Sequence, residues 1–194
     1  MEGAAGNGRG VLPMIAALFV RRDSVYKSMP GVEAFDIDRD ARLYSGPWPV
    51  VAHPPCRAWG QLSHMAKPRH DEKELAVFAV EAVRAFGGVL EHPKMSKLWP
   101  ACGLPEPGDF DEFGGWTLPV DQNWWGHRAR KSTRLYIVGV EPCDIPVMPM
   151  VLGEASHVIG SSTTGKPETT KAEREHSPPE FARWLVALAA RCAK

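Results

Sequence analysis

The sequence lacks an excess of either charge. Lysine and arginine together number 23, aspartate and glutamate also number 23, and the formal net charge is zero. This balance argues against a protein that coats nucleic acid by bulk electrostatic attraction. It still allows a local basic surface, because contacts to phosphate depend on where the charges lie.

Cysteine is scarce as well, and its spacing excludes the common metal-binding pairs. The four cysteines lie far apart and form no C-x-x-C pair, and no secretory signal is evident, so we expect free thiols in the cytoplasm. A zinc site from His53, Cys56, His64 and Cys102 would match no common finger or deaminase spacing. The sequence therefore predicts no metal site.

No apolar run is long enough to cross a membrane. The run over residues 11–20 is interrupted by Pro13 and is shorter than the roughly 20 residues that a spanning helix needs. We expect no membrane partner, and a core strand that follows a flexible, glycine-rich tail at residues 1–10. The hydrophobic content of 44% is enough for one core, so residues 11–194 are expected to form a single domain.

Strand patterns alternate along the chain with helical or loop segments. This alternation predicts an α/β fold with an open, mostly parallel sheet. The expected strands are 15–20, 32–37, 49–53, a short one at 89–90 that runs into 91–93, and 134–140, and the expected helices are 71–86 and 178–193. In such sheets, ligands bind beyond the carboxyl ends of the strands. That rule places Asp36, the 53–56 turn and Glu91 on one rim of the sheet.

Cys56 is the first candidate for chemistry. It follows a strand and the Pro54-Pro55 pair, which restricts its backbone to few conformations. A thiolate nucleophile needs an electropositive, partly open setting, and we expect Arg57 and His53 to provide one. The alternative is a structural cysteine without reactivity.

Glu91 is the second candidate, since it ends the apolar stretch Gly88-Val89-Leu90. Desolvation at this position is expected to raise the pKa of Glu91, so that it donates a hydrogen bond or a proton. The alternative is a helix cap or an ion pair with Lys94 or Lys97.

Four basic residues form a third candidate group close after Trp124-Trp125. Basic side chains mixed with aromatic ones suit phosphate contacts and base stacking. The alternative is a solvated surface, although Arg134 opens an apolar strand. The four residues are Arg128, Arg130, Lys131 and Arg134.

Five segments resemble, in their order, the motifs of the cytosine-C5 DNA methyltransferases, and the chain looks like a compact, divergent, phage-like member. Residues 53–60 are similar to the family's Pro-Cys-Gln loop, and residues 91–93 stand at the place of its Glu-Asn-Val motif. Residues 134–139 are similar to the end of its Gln-x-Arg-x-Arg motif, and residues 174–183 to its late Arg-x-x-Thr-Pro-x-Glu-x-Ala-Arg segment. Residues 32–38 are similar to the strand whose terminal acid holds the cofactor ribose.

The resemblance implies a Rossmann-like methyltransferase sheet with a late antiparallel strand pair. It implies that Cys56 adds to carbon 6 of cytosine, that Glu91 holds the N3 and amino edge, and that Arg134 contacts O2 or positions Cys56. The cytosine would be flipped out of DNA or single-stranded. S-adenosylmethionine would bind at Phe19, Asp36, Ile37 and Pro54. DNA would contact Arg57, Arg128, Arg130 and Lys131.

Two features keep other functions open. The loop after the first strand contains no glycine and carries Arg21 and Arg22, which suits a folate-type donor with an anionic tail, or a free nucleotide as acceptor. The interval between the late strand and Arg174 is too short for a full target-recognition domain, so sequence specificity would be low or supplied by another protein. A non-catalytic remnant that binds DNA or acts against restriction is the third possibility. A phage-encoded enzyme would work in the cytoplasm of the host.

Overall fold

The computed structural model describes residues 14–151, 153–160 and 165–192. The predicted tail at residues 1–10 lies outside the described residues. Within them, no helix is long and apolar enough to cross a membrane.

The centre of the fold is one six-stranded sheet with the strand order β2-β1-β3-β4-β6-β5. Strands β1 to β4 are parallel, and β6 is antiparallel to both β4 and β5. The predicted α/β class and the late antiparallel pair are therefore confirmed. The strands are β1 Ile15–Leu18, β2 Val32–Phe35, β3 Val50–Ala52, β4 Gly88–Pro93, β5 Trp116–Asp121 and β6 Ser132–Val138.

The described residues form four α-helices and several short 3-10 helices, some between the strands and the rest after β6. The α-helices are α1 Glu72–Phe86, α2 Leu98–Ala101, α3 Lys171–Glu175 and α4 Pro179–Ala189. Helix α1 agrees with the predicted range because acidic residues open it and Gly87, with a φ of 77°, ends it. The 3-10 helices are Val25–Ser28, Ala41–Leu43, Gln122–Trp125 and Pro142–Asp144.

Two apolar layers cover the two faces of the sheet. Val51 and Val89 pack with α4 on one face, whereas Ala52 and Leu90 pack with α1 on the other. The alternation follows from the pleat, which points successive side chains to opposite faces. Burial of each large apolar side chain contributes about 1.5–3 kcal/mol. By the same alternation, Glu91 shares the α4 face with Val89.

The approach of β3 to β4 requires a glycine. Gly88 has a φ of 118°, and a Cβ at this position would lie 2.0 Å from the carbonyl oxygen of Val50. Only glycine combines this backbone conformation with such a close contact. The contact holds together β3, which leads into the Cys56 loop, and β4, which contains Glu91.

Strand β5 was not predicted from the sequence. It contains Pro119, which is unfavourable inside a sheet because proline donates no hydrogen bond to a neighbouring strand. The strand lies at the edge of the sheet, where one side of its backbone has no partner strand. Pro119 is compatible with that position.

Candidate active site

A cavity of about 1400 Å³ opens at the carboxyl ends of the parallel strands. Strand β1 lies between β2 and β3, so the chain adds its second strand on one side of β1 and its third strand on the other, and the strand order reverses at β1. Ligands of open α/β sheets bind at such a switch point. Eight predicted site residues line the cavity: Phe19, Asp36, Ile37, Pro54, Cys56, Arg57, Glu91 and Lys131.

Cys56 lies in the loop after β3, at the cavity wall. The residue is exposed by its surface area, yet enough protein surrounds the sulfur that burial is the largest influence on its pKa. Burial and the negative charge of Glu91 raise the pKa of the Cys56 thiol, and Lys131 opposes them. The predicted electropositive setting is therefore wrong for the free protein.

Arg57 does not activate Cys56 because its guanidinium binds Glu72 instead. The side chain of Glu72 is completely buried at the start of α1, whereas that of Arg57 is 58% exposed. The Glu72 Oε1 atom accepts the hydrogen bond from Arg57, and Oε2 has no hydrogen-bond partner. Glu72 lies behind the cavity wall with both carboxylate oxygens shielded from solvent, so its contact with Arg57 is a buried ion pair.

Glu91 lies in β4 just beyond the residues that pair with β3, with its side chain 11% exposed. Its Oε2 is 3.0 Å from His53 Nδ1, and its Oε1 accepts a hydrogen bond of 3.1 Å from Gln122 Nε2. Burial is the largest single influence and acts to raise the pKa of Glu91, but the bond to His53 and the charge of Lys131 outweigh it and the net direction is downward. The predicted upward direction is wrong, and Glu91 is a carboxylate at neutral pH.

A second hydrogen bond joins His53 to Tyr26, which is buried in the 3-10 helix after β1. The Tyr26 hydroxyl lies 2.8 Å from His53 Nε2. Burial, aided by the charge of Glu91, raises the pKa of Tyr26 well above its ordinary value, so the phenol keeps its proton. Because the Glu91 carboxylate only accepts, His53 Nδ1–H donates to it, and the Tyr26 hydroxyl holds the Nε2 side of the ring. No motif in the sequence marks Tyr26 or Gln122.

Asp36 lies just after β2 and is held by donors from its own loop. Its Oδ1 accepts the backbone N–H groups of Asp38 and Arg39 at 2.9 and 3.1 Å, and its Oδ2 binds Lys27. Mainly because of Lys27, the pKa of Asp36 is lowered to about 2. Ile37, beside it, is 62% exposed and presents an apolar surface to the cavity.

Phe19 begins the loop after β1 in an unusual conformation. With a φ of 60°, it is the only non-glycine residue with positive φ among those described. Its ring packs edge-on against Phe78 at a centroid distance of 6.3 Å. Such backbone conformations cost about 1–3 kcal/mol and are concentrated at functional sites.

The two arginines of this loop are paired within the chain. Arg21 binds Asp23 at 3.0 Å and Glu175 at 2.8 Å, and Arg22 binds Asp38 at 2.8 Å. Their charges are therefore compensated by carboxylates.

Arg134 lies on the opposite face of the sheet from Glu91. In the β4–β6 register Glu91 faces Leu135, whereas Arg134 pairs with His92 and so points toward the α1 side. Its guanidinium binds Glu106 at 3.0 and 2.9 Å. It does not line the cavity.

Of the other three residues in the predicted basic group, two lie outside the cavity and one lines it. Arg128 binds Glu173, with Nε at 2.8 Å, and Arg130 binds Asp121 at 2.5 Å. Neither arginine lines the cavity. Lys131 does line it and donates to a backbone carbonyl at 3.1 Å.

A different basic surface borders the cavity next to Cys56. It consists of residues 57–70 and 94–97, neither of which contains an acidic residue, and we call it the basic shelf. Gln61 Nε2 donates to the Met95 carbonyl at 2.7 Å, and the Lys97 amide donates to the first segment at 2.9 Å. The two segments therefore form one surface.

The basic shelf combines exposed cations with exposed apolar side chains. In the described chain, Lys67 and Lys94 make no ion pair. Leu62, Met65 and Met95 are between 66% and 73% exposed. The lack of any acidic residue from 53 to 70 is the sequence signal that indicates this surface.

Within the described ranges, no three His, Cys, Asp or Glu side chains come together as metal ligands. Comparison of the chain with protein-family models, with curated proteins and with solved structures found no match.

Proposed function

We propose that the protein transfers a methyl group to carbon 5 of a pyrimidine base, cytosine in the first place, in DNA. The observation that carries the proposal is the convergence of Cys56 and Glu91. Cys56 follows β3, Glu91 lies in the adjacent parallel strand β4 just beyond its pairing with β3, and both line one cavity at the switch point of the sheet.

The two side chains suit the two needs of this reaction. Carbon 5 of cytosine is a weak nucleophile, and addition of the Cys56 thiolate to carbon 6 makes the ring an enamine that reacts at carbon 5. The Glu91 carboxylate holds the base by accepting a hydrogen bond from the exocyclic amino group beside N3. After substitution, the carbon 5 proton leaves, the bond between sulfur and carbon 6 breaks, and the thiolate is restored.

The cavity residues fit S-adenosylmethionine, which when bound supplies an electrophilic methyl group. A carboxylate offers about four acceptor sites, and Asp36 uses three, so one remains for a ribose hydroxyl. Ile37 presents an apolar surface to an adenine ring, while Phe19 and Pro54 line the crevice between β1 and β3.

The pairing of Arg21 and Arg22 favours this donor over a folate-type carrier. Both guanidinium groups already bind carboxylates, so an anionic tail would have to displace them. Displacement exposes the freed carboxylates to the incoming anion, which is unfavourable.

The basic shelf supports DNA as the acceptor rather than a free nucleotide. Lys67 and Lys94, both exposed and without an ion pair among the described residues, are suited to contact phosphates of a strand whose base enters the cavity. Exposed Leu62 and Met65 can pack against neighbouring bases, as apolar side chains do where a stack is opened. The paired Arg128 and Arg130 are not needed for this contact.

The test is mass spectrometry of nucleosides from DNA incubated with the protein. We expect 5-methylcytosine from the wild type with S-adenosylmethionine and none with a folate carrier. Cys56→Ala should abolish the product, whereas Cys143→Ala, which removes an exposed cysteine outside the cavity, should keep it. Salt-dependent DNA binding by both variants, with no base modified by the wild type, would instead identify a non-catalytic DNA-binding protein.

A further inference from the structure

Two cations line the β6 side of the cavity without a carboxylate partner. Lys131 directly precedes β6, and Arg174 lies in the last turn of α3. Both residues are half-buried, and neither makes an ion pair within the described ranges. A half-buried cation is less screened by water and salt than an exposed one, so it interacts more strongly with an anion that enters the cavity.

Arg174 is unpaired even though glutamates flank it in the sequence. Glu173 binds Arg128, and Glu175 binds Arg21 at 2.8 Å. Both neighbouring carboxylates are therefore engaged elsewhere, and the Arg174 guanidinium makes no side-chain hydrogen bond in the described chain. A guanidinium suits phosphate because its parallel N–H groups can bind two oxygens at once.

Lys131 connects Arg174 to the reacting groups. Its Nζ donates to the carbonyl of His176 at 3.1 Å, just beyond Arg174, so the two cations share one part of the cavity, which we call the cationic corner. An ammonium has further N–H donors for a ligand. The charge of Lys131 also opposes the burial that acts to raise the pKa values of Glu91 and Cys56. An anion bound at the cationic corner is thus a neighbour of both groups.

The opposite side of the cavity, at β1 and β2, is different. Arg21 lies between Asp23 and Glu175, and their carboxylates compensate its charge. Arg42 binds Asp40 in the same way. The region proposed for S-adenosylmethionine, a donor with a positive sulfonium, therefore holds compensated arginines, whereas the cationic corner is suited to an anionic group of the acceptor.

The anionic group nearest to a target base is the phosphate of its own nucleotide. In the proposed reaction the base is held at Cys56 and Glu91, and the phosphate lies a sugar away from it. The basic shelf adjoins the same region, because the Lys94 amide donates to the carbonyl of Ser132 at 3.2 Å and Lys131 directly precedes Ser132. One strand can therefore contact the basic shelf and the cationic corner together.

We propose that Lys131 and Arg174 bind a phosphate that flanks the target base, and that this contact positions the base against Cys56 and Glu91. The inference rests on the proposed function and deepens it, because it makes a nucleotide, rather than a base or a nucleoside, the unit that the site recognises. The phosphate belongs either to a strand or to a free nucleotide, and the experiment separates these two sources.

The experiment is a double-mutant cycle in which one change is made in the protein and the other in the substrate. Oligonucleotides with one target cytosine carry a single methylphosphonate, which removes the charge of one linkage. The neutral linkage lies on the 5′ side of the cytosine, on its 3′ side, or several nucleotides away. The rate of 5-methylcytosine formation at low substrate concentration, kcat/KM, is measured for the wild type and for Arg174→Gln.

We expect the neutral linkage on one flank of the cytosine to lower the wild-type rate about tenfold, as for loss of a hydrogen bond between charged groups. Arg174→Gln should lower the rate on the unmodified strand by a similar factor and lose little more on the modified one, because both changes remove the same contact. Arg174→Lys, which keeps the charge, should recover part of the rate. The control Arg183→Gln removes an exposed arginine that binds Glu180 outside the cavity and should respond to the linkage as the wild type does.

Free acceptors identify the source of the phosphate in the same assay. If deoxycytidine monophosphate reacts as fast as the strand and deoxycytidine at least tenfold more slowly, the phosphate belongs to a free nucleotide, and Arg174→Gln should abolish the difference. If the strand reacts at least tenfold faster than the monophosphate, the phosphate belongs to a strand.

Two results count against the inference. If Arg174→Gln and the neutral linkage act independently at both flanks, and the variant keeps any preference for the monophosphate over the nucleoside, the phosphate contact is wrong while the proposed function stands. If the folded wild type forms no 5-methylcytosine on any of these acceptors, the proposed function is wrong and the phosphate contact with it.

Discussion

His92 provides a quantitative test of the structure around β4. It follows Glu91 but points to the opposite face of the sheet, where its ring is completely buried and lies 6.5 Å from the ring of Trp99. Burial lowers the pKa of His92 to about 4, against the opposing influence of the Glu91 charge and a backbone contact with Pro55. The imidazole is therefore neutral in the folded protein, and unfolding exposes it to protonation.

The sign and size of the effect follow from this difference. The ordinary pKa of histidine is near 6.5, so below that pH the unfolded chain binds a proton that the folded chain rejects until about pH 4. The stability that neutral His92 contributes is thus complete above pH 6.5 and is lost as the pH falls toward 4. The loss amounts to about 3 kcal/mol.

The assay is urea unfolding of the wild type and of His92→Gln between neutral pH and about pH 4. Glutamine has a similar volume and does not titrate. Over this pH range we expect the free energy of unfolding of the wild type to fall by about 3 kcal/mol more than that of the variant. This expectation does not depend on how much the two differ in stability at neutral pH. Equal losses would refute the burial of a neutral His92.

Two further predictions concern the strands that carry the site. Gly88→Ala should lower the free energy of unfolding by more than about 3 kcal/mol, because its Cβ would strike the backbone of Val50. The control Gly126→Ala, at a similar φ but with no neighbour within 4 Å, should lower it by only about 1 kcal/mol. Equal costs in urea unfolding would contradict the close strand contact. Glu91→Gln removes a charge that raises the pKa of Cys56, so iodoacetamide should alkylate Cys56 several-fold faster near neutral pH. An unchanged or slower rate, measured by peptide mass spectrometry, would show that the charge of Glu91 does not act on the thiol.

Much of the fold follows from local sequence patterns. The apolar run after Met14 predicts β1, and the acidic start and glycine end of α1 predict its bounds nearly to the residue. The edge strand β5 does not follow, because Pro119 is a signal against a strand and only the position at the sheet edge makes it acceptable. Local patterns also do not reveal which strands are neighbours.

The position of the site can be predicted from the sequence, but the charges and pKa shifts of its residues cannot. The strand-end rule brings Asp36, Cys56 and Glu91 to one rim, and they line one cavity. The charge of Glu91 depends on His53, a contact between residues 38 apart in the sequence that no local pattern contains. The orientation of Arg134 depends on the register of β6 against β4, which the alternation within a single strand leaves undetermined.

The most direct test of the central claim is covalent trapping on a 5-fluorocytosine oligonucleotide in the presence of S-adenosylmethionine. Fluorine at carbon 5 cannot leave as a proton does, so the bond between the sulfur and carbon 6 persists after methyl transfer. We predict an adduct of protein and oligonucleotide whose peptide map places the link on Cys56, and which Cys143→Ala retains. Absence of an adduct, or a link on another cysteine, would contradict the role of Cys56 as the nucleophile.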